Sequence, residues 1–221
     1  MMNKKAKMLT ALGLMGVLFM GTGMNQADAK EKAPAQTEQA EGTQAADAQN
    51  ALSYVYTSKK YGYTINCPQK PNVIPASELY EGKEGEILIF DNDGYNIKNA
   101  WVVLKNAFDT YAMPDLNTLN EYDARKYLSL LMRSNGYEAM ELINRTEKDK
   151  AIYAITAKEV EIDTDGDGEP DMTAKSDTQM AVTFFRGNKG GCYSVQLIDN
   201  PELRDTAIDL FQKGVVSFKE K

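Results

Sequence analysis

Residues 192–218 read CYSVQLIDNPELRDTAIDLFQKGVVSF and place a predicted strand directly before a predicted helix. The strand covers residues 192–198. Asn200 can cap a helix, and Pro201 suits its first position because proline has no backbone N–H to leave unbonded. Lys213-Gly214 predicts the end of this helix, since glycine commonly follows a last helical turn. The stretch therefore predicts a sheet strand followed by an amphipathic helix.

The sequence before this stretch predicts more strands and one further helix. The helix covers residues 118–134, where apolar residues recur at near-helical intervals before Asn135-Gly136. Alternating runs bounded by turn residues predict strands at residues 61–67, 86–90, 100–108, 137–145, 151–162 and 172–186, with a hairpin turn at 91–94 and a loop at 68–84. Two helices with a run of antiparallel strands indicate an α+β fold.

Two stretches resemble a known family. Residues 56–71, YTSKKYGYTINCPQKP, are similar to the start of secreted PsbP-like domains, in which an aromatic-glycine-aromatic strand leads into a proline. Residues 192–219 are similar to the close of such domains: a strand, a polar break, an amphipathic helix and a final "SF" strand. The resemblance implies a twisted antiparallel β-sheet flanked by two main helices, and a non-enzymatic binding or assembly role.

The first 29 residues have the three parts of a secretory signal peptide. The basic start MMNKKAK is followed by the apolar run Met8–Met20 and by Ala27-Asp28-Ala29, whose small side chains fit a cleavage site. We expect cleavage after Ala29 and a secreted or periplasmic protein that begins at Lys30, with no stable membrane insertion. The alternative is an uncleaved anchor, although the apolar run is shorter than the roughly 20 residues that span a bilayer.

Residues 30–50, KEKAPAQTEQAEGTQAADAQN, contain no large apolar side chain. Ordering this segment would cost entropy without burying apolar surface, which predicts a disordered linker. An isolated helix is the alternative, because Ala, Gln and Glu favour helices. Residues 51–221 are long enough for one core and are predicted to form a single PsbP-like α+β domain.

The charge balance excludes several classes of function. The chain has 25 basic residues, 32 acidic residues and no histidine, so Ser-His-Asp and Cys-His catalysis and an HExxH zinc site are excluded. Without residues 1–29 the net charge is −9, from 22 basic and 31 acidic residues. Nucleic acid and anionic membranes are therefore poor partners, because both are bound through clustered Lys and Arg.

Residues 163–171 read DTDGDGEPD and carry an acidic residue at every second position. Calcium takes about six to eight oxygen ligands, and a tight loop of alternating aspartates brings carboxylates together while glycine allows the turn. We therefore expect a structural calcium site. The predicted ligands are the carboxylates of Asp163, Asp165 and Asp167, the backbone carbonyl of Glu169, and Asp171 directly or through water.

The acidic run also resembles the calcium loops of thrombospondin type 3 repeats. It differs from an EF-hand because Ala174 occupies the twelfth position, where a bidentate glutamate would stand; Asp177 is a candidate substitute. The alternative is an exposed hairpin turn, because Asp and Gly are turn residues in their own right.

The two cysteines, Cys67 and Cys192, are a candidate disulfide in an exported protein. Cys67 ends one predicted strand and Cys192 starts another, and such ends are neighbours in an antiparallel pair. Two buried free thiols are the alternative.

Two classes of function remain. The first is an exported non-enzymatic binding or assembly module of the cell envelope, which binds an unidentified envelope protein or small ligand. The alternative is a small extracytoplasmic hydrolase with paired carboxylates. Candidate acids for the hydrolase are Asp91, Asp93, Asp115, Glu121 and Asp123. Trp101 is expected in the core, and the side chains expected at a contact surface are Tyr61, Tyr63, Tyr80 and Tyr95. Packing within the sheet is the alternative for these tyrosines.

Overall fold

The computed structural model describes residues 51–107, 113–163, 167 and 169–221. The predicted signal peptide and linker, residues 1–50, and the predicted ligand Asp165 lie outside the described residues. The described residues form mainly strands, with two α-helices. The strands are β1 (Tyr54–Ser58), β2 (Tyr63–Cys67), β3 (Asn72–Pro75), β4 (Glu84–Asp93), β5 (Asn96–Lys105), β6 (Tyr137–Asn144), β7 (Lys150–Thr156), β8 (Glu159–Ile162), β9 (Met172–Lys175), β10 (Ala181–Arg186), β11 (Cys192–Asp199) and β12 (Lys219–Glu220), and the helices are α1 (Glu121–Asn135) and α2 (Asp205–Ser217).

A seven-stranded sheet forms the centre of the fold. Its strand order is β3-β4-β5-β11-β10-β7-β6, and each neighbouring pair is antiparallel. The central strand β11 is buried along its whole length, because both faces of the sheet are covered. The α+β class and the antiparallel sheet with two main helices are confirmed.

Each face of the large sheet has its own apolar cluster. Ile87, Val102 and Ile152 belong to the cluster on one face, where partly buried residues of α1 join them. The opposite face carries a cluster with Trp101 and Val195, together with residues of β2 and α2. This second face is therefore covered by α2 and by a small three-stranded sheet of order β1-β2-β12.

Helix α1 begins and ends close to the predicted positions. Asn120 is its N-cap, and the Asn120 side chain accepts a hydrogen bond of 2.9 Å from the backbone N–H of Asp123. Gly136 follows the helix with a φ of 66°, which glycine adopts without steric cost. The predicted hairpin is also confirmed as β4 and β5, although its strands are longer than expected.

Helix α2 differs from its prediction at both ends. Asn200 does not cap it, because the Asn200 side chain donates to the Ile97 carbonyl at 2.8 Å and the helix begins only at Asp205. At the other end the helix continues through Gly214 to Ser217. The predicted helix end at Lys213-Gly214 is therefore wrong. Gly214 lies within the helix, where close packing favours a residue without a side chain.

Gly214 allows α2 to lie directly on the ring of Trp101. A Cβ atom at this position would come closer than 3.0 Å to two ring carbons of Trp101. The same ring is 1% exposed and makes edge-on contacts with Phe90 and Phe211, whose centroids lie 5.1 and 5.9 Å away. Trp101 is therefore a core residue, as predicted.

Two predicted long strands are each divided in the structure. The predicted strand 151–162 becomes β7 and β8, and the predicted strand 172–186 becomes β9 and β10. At the break, the Thr156 hydroxyl accepts from Met180 N at 2.8 Å and the Ser176 hydroxyl donates to Thr178 O at 2.7 Å. These hydroxyls bond backbone groups that a continuous ladder would otherwise pair, and β8 and β9 form a separate two-stranded hairpin.

The predicted loop 68–84 also contains β3, which pairs with β4.

The contact between Gly214 and Trp101 gives the first prediction. Gly214→Ala should lower the free energy of unfolding by about 1–3 kcal/mol, because the added methyl overlaps a ring that cannot move in a filled core. Helix propensity alone would instead raise the free energy of unfolding by up to about 1 kcal/mol, because alanine favours the helix more than glycine does. Urea unfolding of the variant measures the difference. Lys213→Ala on the exposed side is the control and should change stability by less than about 0.5 kcal/mol; an unchanged or more stable Gly214→Ala would contradict the packing.

Candidate functional site

The predicted calcium loop lies at the tip of the β8–β9 hairpin. Ile162 pairs with Met172, and the backbone N–H of Asp171 donates to the Ile162 carbonyl at 2.9 Å. This register places Asp163 and Asp171 opposite each other at the base of the loop. The hairpin is attached through Val160, which packs against Gly136 at the end of α1.

The described carboxylates of this loop all face solvent. Asp163, Asp167, Glu169 and Asp171 are exposed, and Asp167 accepts a hydrogen bond of 2.8 Å from the backbone N–H of Glu169. Among the described residues no group of three acidic or thiol side chains converges as a metal site would. Asp165, the middle of the predicted ligand set, is not among them. Ala174 is buried, so its position faces the protein rather than the loop.

The disulfide predicted between Cys67 and Cys192 is wrong. Both thiols are free and fully buried. Cys67 packs in the cluster between the small and the large sheet, whereas Cys192 belongs to the cluster on the opposite face of the large sheet. The sheet separates the two sulfurs. Burial raises the pKa of the Cys67 thiol to about 12, so it is protonated at neutral pH.

The carboxylates proposed for a hydrolase lie on separate elements and are exposed. Asp91 and Asp93 are at the end of β4, whereas Glu121 and Asp123 are in the first turn of α1. Glu121 pairs with Arg125, and Asp123 accepts from the Asn120 side chain at 2.7 Å. Asp115 lies in the segment before α1.

The four tyrosines expected at one contact surface do not share a surface. Tyr63 is 1% exposed and donates to Glu86 at 2.8 Å, and Tyr80 is buried and donates to Gln196 at 2.8 Å. Tyr61 is half-buried, and Tyr95 is 95% exposed at the β4–β5 turn. The predicted tyrosine surface is therefore wrong. Burial, with a contribution from Glu86, raises the pKa of Tyr63 well above its ordinary value.

The structure adds a polar cleft that the sequence analysis did not identify. It has a volume of about 460 Å³ and lies at the end of the large sheet where β7 begins and β10 ends. Its residues come from three separate segments: Asp115, Leu116 and Asn117; Asp149 and Lys150; and Arg186, Gly187, Asn188 and Gly190. The sequence signal for this cleft is the run RGNKGG at 186–191, which has two basic residues and three glycines between two strands. A smaller cleft of about 260 Å³ lies around Asn99 and Arg204.

The β10–β11 turn beside this cleft holds the carboxylate of Glu220. The backbone N–H groups of Lys189 and Gly191 donate to Glu220 Oε2 at 2.8 and 3.4 Å, and the Tyr193 hydroxyl donates to Oε1 at 2.9 Å. Asn188 and Glu220 also exchange two hydrogen bonds between the Asn188 side chain and the Glu220 backbone. The turn thus fixes the last strand, β12.

Comparisons with solved structures find a distant structural likeness. No protein-family model matches the chain, and no curated protein matches it. The solution structure of cyanobacterial PsbP (CyanoP) from Synechocystis sp. PCC 6803 is similar over 76% of this chain and 92% of that chain, with 14% identity and a TM-score of 0.41.

The positions of the two thiols give the second prediction. In the native protein neither cysteine should react with iodoacetamide at pH 8, because both are buried and the nucleophilic thiolate of Cys67 is disfavoured by its raised pKa. In denaturant without reductant, mass spectrometry should show two alkylations. Cys67→Ser and Cys192→Ser are the matched controls and should show one each. A native mass two hydrogens below that of the reduced chain would contradict the free thiols.

Proposed function

We propose that the protein is an exported, non-enzymatic binding or assembly module of the cell envelope, and that its β8–β9 hairpin binds calcium and contacts the partner. The exposed acidic hairpin carries this proposal. It leaves the seven-stranded sheet, pairs only with itself among the described strands, and ends in a loop with five acidic residues. Val160 and the buried Ala174 attach this hairpin to the domain, and the described carboxylates of its loop remain exposed.

The charge of the loop supports a cation ligand. Residues 163–171 contain no Lys or Arg, and the ion pair between Lys175 and Glu159 lies further down the hairpin, with an Nζ–Oε1 distance of 2.7 Å. Five carboxylates in nine residues repel one another unless a cation or water screens them. Calcium prefers such oxygen ligands and is available outside the cytoplasm.

Within this proposal the ligand set is the one predicted from sequence. Asp163, Asp165 and Asp167 provide carboxylates, Glu169 its backbone carbonyl, and Asp171 binds directly or through water. The hydrogen bond from Asp171 N to Ile162 O supports this set because it closes the base of the loop. Bound calcium would hold its ligands in one arrangement, and a surface that is ordered before association lowers the entropic cost of binding a partner.

Export is the other part of the proposal, and the N-terminal sequence supports it. Residues 1–29 have the pattern of a cleaved signal peptide, and residues 30–50 have the composition of a tether. In the part of the chain that the structure describes, neither helix is long and apolar enough to cross a membrane. The folded domain would therefore meet its partner outside the cytoplasm.

Calcium binding gives the third prediction. Isothermal titration of the protein with calcium should show one site with a dissociation constant of about 10⁻⁴–10⁻³ M, the range of extracellular calcium modules. Asp165→Ala should abolish the heat of binding, because it removes a central ligand. Glu147→Ala is the matched control, since it removes one exposed carboxylate from another turn and should leave binding unchanged. Equal traces for the wild type and Asp165→Ala would reject the site.

Partner recognition gives the fourth prediction. Photo-crosslinking of the protein to an envelope extract in calcium should give a defined product that is lost in chelator and in the triple variant Asp163→Asn, Asp165→Asn, Asp167→Asn. The Glu147→Gln variant should retain the product. A crosslinked product that persists in chelator and in the triple variant would contradict the role of the hairpin in partner binding. Turnover of a glycoside by the wild type would instead favour the hydrolase.

A further inference from the structure

The polar cleft at the opposite end of β7 has a different charge from the hairpin. Its volume of about 460 Å³ lies in the range of small-molecule sites, about 300–1,000 Å³. Lys150 and Arg186 contribute cations to its wall, although the protein as a whole is acidic. Two aspartates, Asp115 and Asp149, line the same site, so its charge depends on how these acids are paired.

The acidic residues of the cleft are already engaged by the protein. Asp149 forms an ion pair with Arg145, with an Nη2–Oδ2 distance of 3.2 Å, and accepts a hydrogen bond of the same length from the Thr146 hydroxyl. Asp115 accepts a hydrogen bond of 3.0 Å from Asn117 N. The Asp149 charge is therefore balanced by a buried guanidinium, whereas Asp115 keeps its charge, so the lining carries two cations against one carboxylate that no cation pairs among the described residues.

The cations are held at the wall of the cleft. The Arg186 guanidinium donates to the Met113 carbonyl, which fixes its orientation. The backbone N–H of Lys150 donates to the Asn117 side chain at 2.8 Å, and within the described residues the Lys150 ammonium has no ion-pair partner. Both side chains line the cleft, and an ammonium or a guanidinium that donates to a carboxylate or phosphate forms a charge-assisted hydrogen bond.

The neighbouring turn shows that this part of the chain binds a carboxylate. Glu220 occupies one side of the β10–β11 turn, held by the N–H groups of Lys189 and Gly191. Cβ atoms at Gly187 and Gly191 would come closer than 3.0 Å to the Glu220 carboxylate oxygens, so the glycines give the oxyanion its access. Gly187 and Gly190 of the same turn also line the cleft.

We propose that this cleft binds a small molecule that carries an oxyanion, either a carboxylate or a phosphate, through Lys150 and Arg186. The volume exceeds that of the oxyanion alone, so the remainder of the ligand is polar and lies against Asp115 and Asn117. The cleft contains none of the hairpin residues, so the result of an oxyanion-binding test does not depend on whether the hairpin binds calcium.

The test follows amide resonances of the protein during titration with two probes, inorganic phosphate and acetate, at constant ionic strength. Saturable shifts of Asn117, Gly187, Asn188 and Gly190 are expected with at least one probe, and the stronger probe identifies the class of oxyanion. Lys150→Gln should weaken the binding by on the order of tenfold, because it removes a charge-assisted hydrogen bond. Lys70→Gln is the matched control, since Lys70 is an exposed lysine before β3.

A second variant separates charge from shape. Arg186→Lys keeps the charge but loses the planar pair of donors, and it should reduce affinity for both probes while the resonance dispersion of a folded protein is retained. Non-saturable shifts in the wild type would overturn the proposal. Saturable binding that Lys150→Gln leaves unchanged would also overturn it.

Discussion

The contact between Trp101 and Gly214 sets the distance between α2 and the large sheet, and the C-terminal end of the chain depends on it. Because α2 lies on the ring, Phe218 reaches an aromatic cluster with Tyr63, Phe185 and Tyr193, at centroid distances of 5.1, 5.0 and 4.7 Å. The two residues after Phe218 then pair with β2 and bring the Glu220 carboxylate to the β10–β11 turn. The C-terminal end of the chain thus connects the face of the sheet that carries Trp101 to a turn that also lines the cleft.

Buried Arg145 connects the same helix end to the cleft. Its side chain is 4% exposed, its guanidinium carbon lies 4.6 Å from the Phe185 ring centroid, and it donates to the carbonyls of Val215 and Phe218 at 3.4 and 3.3 Å. Burial lowers the pKa of Arg145 and the nearby Asp149 charge opposes that shift. A buried charge is tolerated only when it is paired, so Asp149 is required by the core and not available to a ligand.

The sequence predicted those features that depend on local chemistry. Apolar residues at near-helical intervals and the glycine at 136 predicted α1, and turn residues predicted the β4–β5 hairpin. The sequence predicts a helix stop at Gly214 because only the folded structure shows the Trp101 ring against this residue. It predicts a cap at Asn200 because the partner of that side chain, the Ile97 carbonyl, is distant in sequence. The acidic segment 163–171 is visible in consecutive residues, which predict a calcium loop or, as the alternative, an exposed hairpin turn. The cleft instead combines segments that are up to about 75 residues apart in sequence, between Asp115 and Gly190.

Strand β7 separates the two proposed sites. Lys150 at its first residue lines the cleft, and Thr156 at its last residue leads into the hairpin. Seven residues of extended chain span about 20 Å at roughly 3.3 Å per residue. This exceeds the Debye length of about 8 Å at physiological ionic strength, so the acidic loop does not cancel the cations of the cleft. Because β7 is paired on both sides, by β6 and β10, the strand holds the sites apart, and one domain can present the acidic loop and the cleft as electrostatically separate sites.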